Sequence, residues 1–183
     1  MTTRIRQSVP CDFNAIGQVH IQAFGDEEGP EIVKLVSELM NDRSAFPLLS
    51  LVADMDRKIA AHILFTRVVI EPAAQGVSAQ ILAPLAVLPE FQNRGIGGQL
   101  IRQGLLELKQ SGTDLVFVLG HPGYYPRSGF TPATPHGLVA PYPIAAKNAD
   151  AWMVQALREG VIGTVTGQIR SSDALNQPQY WVE

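Results

Sequence analysis

The sequence predicts a mixed α/β fold with a central twisted sheet, antiparallel at its start and parallel across one crossover. Three observations carry that prediction. Residues Ile81 to Leu88 and Leu115 to Leu119 are continuous apolar runs, the pattern of strands covered on both faces. Between them lie a glycine-bearing loop, Pro89 to Gly98, and a stretch with helical spacing; strand, loop, helix and strand form a βαβ crossover with parallel neighbours. Upstream, two β-branched runs flank a short polar turn, which reads as an antiparallel hairpin.

In chain order, Thr3 to Val9 alternates weakly and reads as a first strand before Pro10. Asp12 is placed to cap a helix whose apolar residues Phe13, Ile16, Val19, Ala23 and Phe24 recur at helical spacing. Gly25 to Pro30 is expected to break that helix with an acidic loop. A second helix follows with Ile32, Leu35, Val36, Leu39 and Met40 on one face. Leu48 to Ala53 and Ile59 to Ile70 are the hairpin strands, and Asp54 to Lys58 is their turn. The crossover helix turns Leu100, Ile101, Leu105 and Leu108 inward and shows Gln99, Arg102, Gln103 and Glu107 on its other side; Ser111-Gly112 stops it. Beyond Gly120 the chain is rich in Pro, Gly and Tyr. Ala151 to Leu157 fits helix or strand by periodicity, and Val161 to Ile169 is a further apolar segment.

A length of 183 residues reads as one domain, residues 1–183. With 46% hydrophobic and 17% charged residues the chain is not disordered. A net charge of -3 argues against a general nucleic-acid binder. One cysteine, Cys11, excludes an internal disulfide framework and a Cys-rich zinc site; it reads as a small, partly buried side chain. No apolar stretch follows Arg4 and Arg6 as a secretory leader requires. Ile81 to Leu88, the longest nearly apolar stretch, is far short of the roughly 20 residues of a membrane span. A cytoplasmic protein is therefore expected, with neither nucleic acid nor membrane as partner.

The loop Gln92-Asn93-Arg94-Gly95-Ile96-Gly97-Gly98 joins a buried strand to a helix start. Glycines let a ligand approach the backbone, and the free N–H groups with about half a positive charge at the helix start suit phosphate or diphosphate. A Walker A loop requires Gly-Lys-Ser/Thr, which is absent. A dinucleotide fingerprint requires an acidic residue at the end of the next strand, whereas Asp114 precedes that strand.

Gln92, Gly95 and Gly97 fit the Gln/Arg-x-x-Gly-x-Gly/Ala pattern, and the loop resembles the acetyl-CoA loop of the GCN5-related N-acetyltransferases (GNAT). Leu85-Ala86-Val87-Leu88-Pro89-Glu90 is similar to that family's fourth strand and its exit. Tyr124-Tyr125-Pro126-Arg127-Ser128-Gly129-Phe130 is similar to its Tyr-x-x-x-Gly-Phe segment, and Gly120 to Gly123 and Trp152 to Gly167 resemble one bacterial subgroup.

The resemblance implies direct acetyl transfer from acetyl-CoA to a primary amine on a small molecule or protein, with no metal. It implies cofactor contacts from Leu85, Ala86, Val87, Gln92, Asn93, Arg94, Gly95, Ile96, Gly97, Gly98, His121 and Tyr125. Tyr125 falls where the family places its general acid, and the N–H of Ala86 or Val87 where the thioester oxygen is polarised. In the family the fourth and fifth strands splay around the pantetheine arm, with which Pro84 is compatible. Ser78 to Leu88 contains no carboxylate to act as base, leaving Glu27, Glu28, His62, Glu71 and His121. A non-catalytic acyl-CoA-binding or regulatory module on the same fold is the alternative, and a homodimer stays open.

Overall fold

A computed structural model describes residues 2–72 and 76–182 of the chain. Its elements are β1 (Thr3–Gln7), α1 (Phe13–Asn41), β2 (Leu49–Met55), β3 (Lys58–Glu71), β4 (Ala79–Val87), α2 (Ile96–Gln110), β5 (Leu115–Leu119), β6 (Thr131–Pro132), β7 (Leu138–Val139), β8 (Trp152–Ala156) and β9 (Gly167–Arg170). The sheet runs β1-β2-β3-β4-β5-β8-β6, and β9 pairs with the far end of β3 and with β7. The first four strands are antiparallel neighbours, β4 and β5 are parallel, and β8 returns antiparallel to β5. The mixed sheet and its crossover are thus as the sequence predicts, and Ala151 to Leu157 resolves as the strand β8.

The β2–β3 hairpin closes on Asp56 and Arg57, both with positive φ (53° and 72°). Such turns match the right-handed twist of the flanking strands, and the Asp54 carboxylate accepts the Arg57 N–H at 2.9 Å. Alternation along β3 then sorts its side chains. Phe65 packs against Gly104 of α2, whereas His62, one face over, meets His20 of α1. The two helices therefore cover opposite faces of the sheet. That double cover is why β3 and β4 are almost wholly buried and read as continuous apolar runs.

Three local expectations are corrected. Gly25 to Pro30 is not a loop: only Gly25 leaves helical geometry (φ 82°), kinking α1, and Asp26 to Pro30 open its second half. Acidic residues favour a helical first turn because they complement its positive end, and that composition imitates a loop. Asp12 does not cap α1; its carboxylate turns back to Arg6 (2.7 and 2.9 Å) and the Val9 N–H (2.8 Å). Cys11 is exposed on the short turn before α1 rather than partly buried. Among the described residues no helix is long and apolar enough to cross a membrane.

Candidate active site

The site originates where β4 leaves β5. Their pairing covers Ala79 to Leu82 against Leu115 to Val118 and then stops, while β4 stays paired with β3 through Val87. At that point the β3–β4 register shifts between Ile63 and Phe65, opposite Ala83 and Pro84. Pro84 has no N–H to give to a ladder, so a strand can change partners there without leaving a donor unpaired. The strands part and open a cleft of about 1650 Å³ through the sheet.

α2 points its start at this opening. Gly95, with φ 76°, turns the chain into the helix, and Ile96, Gly97 and Gly98 form the first turn. The helix thus begins inside the stretch read as loop, so two of the glycines are helical and their N–H groups belong to the helix end. The Gln92 amide donates to the Val87 carbonyl at 3.0 Å, tying the loop to the end of β4. A Cβ on Gly97 would overlap the Tyr124 hydroxyl, so a larger residue there has to displace that phenol.

Of the sequence-predicted residues, Leu85, Ala86, Val87, Gln92, Asn93, Gly95, Ile96, Gly97, Gly98, His121 and Tyr125 all line the cleft. Arg94 does not; its guanidinium lies over the Phe91 ring, 5.4 Å from the centroid. Tyr125 stands edge-on to both Tyr124 (5.1 Å) and Phe130 (5.9 Å). Tyr124 lines the cleft as well, and burial raises its phenol pKa against the opposing pull of Arg127. The His121 ring accepts the N–H of Gly123 at 2.9 Å, which fixes Nδ1 as an acceptor.

The candidate bases separate. Glu27, Glu28 and His121 reach the cleft. Glu71 is paired with Arg170 at 3.2 Å, beside β9. His62 is fully buried between His20 and Ser50, and burial followed by the His20 charge drives its pKa well below the ordinary value. Neither residue lines the cleft.

Sequence reasoning missed several lining residues. Arg102 reads as an outer-face residue, yet its guanidinium sits 3.4 Å from where a Cβ on Gly98 would be, over the first turn of α2. The four-residue spacing from Gly98 carries that signal. Arg127 also lines the cleft, and Glu31, Tyr180 and Trp181 join Glu27 and Glu28 in lining it. The cleft therefore combines cations beside the α2 start with carboxylates from α1. Among the described residues no cluster of three or more His, Cys, Asp or Glu is arranged to hold a metal ion.

A sheet parted beside a glycine-capped helix start defines a site open to a long ligand that carries phosphate. Residues 4–133 match the family described as Acetyltransferase (GNAT) domain, and the chain belongs to that family of acetyltransferases. It is 45% identical over 163 residues to the Uncharacterized N-acetyltransferase YjhQ of Escherichia coli K12, covering 88% of each chain. With YhbS of the same strain it shares 31% identity over 176 residues, covering 94% of this chain and 98% of that one. The crystal structure of Escherichia coli YhbS in complex with CoA superposes with a TM-score of 0.84 at 28% identity, covering 96% of this chain and 92% of that one. A GNAT family acetyltransferase from Brucella melitensis, in complex with acetyl-CoA, gives 0.75 at 30% identity, with 95% and 98% covered.

Proposed function

We propose that residues 1–183 act as one domain that transfers the acetyl group of acetyl-CoA directly to a primary amine. The observation that carries this reading is the parting of β4 from β5 directly beside the free N–H groups of the α2 start. Those N–H groups, with Arg102, bind the diphosphate, and the opened strands receive the pantetheine arm. CoA in the YhbS structure and acetyl-CoA in the Brucella structure support the choice of ligand.

The chemistry then follows from charge. Attack by the amine puts negative charge on the thioester oxygen, and the backbone N–H of Val87, which faces away from β3, stabilises it. Collapse expels the CoA thiolate, and Tyr125 gives it a proton. A phenol near pKa 10 is a workable donor to a thiolate near 8.5. The attacking nitrogen must first lose a proton, which for an alkylammonium near pKa 10.4 costs about 4–5 kcal/mol at pH 7. Glu27, Glu28 or water takes it, and the carboxylates of that wall favour a cationic amine.

Thermal unfolding with and without acetyl-CoA, followed by thiol release with an amine panel, tests the reading. Ligand at 100 times its Kd adds about 2.7 kcal/mol to the folded state. A melting shift with acetyl-CoA and amine-dependent thiol release are expected. A shift with ATP or NAD and none with either CoA form would refute it.

A further inference from the structure

The segment after β9, residues 171–182, belongs to neither sheet nor long helix, yet its Leu175, Gln179, Tyr180, Trp181 and Val182 line the cleft together with the α1 carboxylates. Irregular segments of this kind fray unless they are tied down, and this one is tied twice. The first tie is Asp42, just past the end of α1. One carboxylate oxygen accepts the Ala174 N–H at 2.9 Å, and the other accepts the N–H and hydroxyl of Ser44 at 2.8 and 2.6 Å. The Ser44 hydroxyl oxygen in turn accepts the Asp173 N–H at 2.9 Å. These bonds span 129 and 132 positions of sequence, so they set a tertiary relationship.

The second tie is aromatic. Trp181 is buried, donates its indole N–H to the Leu175 carbonyl at 3.0 Å, and meets Trp152 edge-on at 5.7 Å. Trp152 stacks on Phe117 of β5 at 5.2 Å, so the segment is bolted to the strand that forms one lip of the cleft. Tyr142 adds a bond from its hydroxyl to the Asn176 carbonyl at 3.0 Å. Beside Trp181, Tyr180 stays half-buried, its phenol close enough to α1 to feel Glu31 and Glu38. A large, two-torsion side chain held this way makes a contact surface at low entropic cost, which is what discrimination between acceptors needs.

We propose that residues 171–182 form the acceptor-selecting wall, with Tyr180 as a specificity-determining residue and the Asp42–Ser44 pair as the device that positions it against α1. This rests on the acetyltransferase reading above, so the test separates the two. The probes are n-pentylamine, cadaverine, benzylamine and tyramine, with kcat/KM measured by thiol release and acetyl-CoA Kd by calorimetry. Tyr180→Ala changes the ratio of kcat/KM between at least two of the amines tenfold or more, with the acetyl-CoA Kd unchanged. Asp42→Ala changes the ratios in the same direction through KM and speeds hydrogen exchange at Asp173 and Ala174. Asp42→Asn, which keeps an acceptor oxygen, falls between it and wild type. Should Asp42→Ala not fold, Ser44→Ala removes the Asp173 partner and is expected to act in the same sense. Unchanged ratios in Tyr180→Ala overturn the proposal while the acetyltransferase reading stands. Lost acetyl-CoA affinity in that variant overturns it by assigning the segment to the cosubstrate. No thiol release by the wild type with any amine overturns both.

Discussion

His20 Nε2 and His62 Nδ1 meet at 2.8 Å with both side chains fully buried and their rings nearly perpendicular. Such a bond needs a proton on one nitrogen and a lone pair on the other, so at least one ring is neutral. His62 continues to the Ser50 hydroxyl at 2.9 Å, and Ser50 to that of Ser8 at 2.7 Å. Burial pushes the His20 pKa down to about 4, and His62 is lowered too by burial and then by His20.

These depressed values fix a pH dependence. Above about pH 6.5 both states are neutral and the pair's contribution is complete. As pH falls from 6.5 toward 4 the unfolded chain takes up protons that the native interior refuses, so stability drops. The His20 share is roughly 3 kcal/mol at the lower end. Denaturant unfolding at pH 7.5, 6 and 5 should show this loss, and His20→Gln should flatten it. An equally steep profile in that variant would assign the loss to other groups.

Tyr125→Phe removes one hydroxyl and keeps the ring that stands against Tyr124 and Phe130. A proton delivered to the departing thiolate matters mainly in the transition state. The expected result is kcat lower by roughly a hundredfold with acetyl-CoA Kd nearly unchanged. Tyr124→Phe should keep near wild-type kcat. Full activity of Tyr125→Phe across several amines and pH values would remove it from the mechanism.

Gly97 and Tyr124 form a testable pair, because the obstacle to a Cβ at residue 97 is the phenol oxygen, with the ring carbon behind it at 3.7 Å. Gly97→Ala should displace Tyr124 and weaken acetyl-CoA binding by roughly tenfold, about 1.4 kcal/mol. Adding Tyr124→Phe deletes that oxygen and should recover most of the loss. A double-mutant cycle by calorimetry reads the coupling, and strict additivity would contradict the packing account.

Asp114, which a dinucleotide site would use at a strand end, is instead a structural clip. Its buried carboxylate accepts the Ser78 N–H at 2.8 Å and the Arg158 Nε–H at 2.6 Å, joining the start of β4 to the chain beyond β8. Burial raises its pKa, and the bonds from Arg158 and Ser78 override this to hold it below the ordinary range. Asp114→Ala should cost about 2–3 kcal/mol, a fall of roughly 4–12 °C in Tm, with acetyl-CoA affinity retained. A Tm within 1 °C of wild type would be evidence against the clip.

The β4–α2–β5 unit is legible from sequence because both strands are covered on each face and a glycine turn opens the helix. Each signal is local, as is the hairpin turn at Asp56-Arg57. What escaped depends on residues far apart in the chain. The His20–His62 pair joins positions 42 apart, and nothing near Asp42 announces Asp173 and Ala174. Gly25 misled for a different reason: a glycine followed by an acidic run is the composition of both a loop and a helix start. Arg102 shows the limit of reading a helix by face, since residues at its open end border the cleft even when they point away from the core.

Residues 85–87 of β4 keep one neighbour where an interior strand ordinarily has two. On the rim of a sheet, bare main-chain groups of this kind are an invitation to another polypeptide and a route to aggregation. Here they face inward across a cleft bounded by α1, α2 and the C-terminal segment. An edge set inside a cleft is shielded from a second sheet by the elements around it. The fold keeps a sticky edge and turns it toward its own interior cleft.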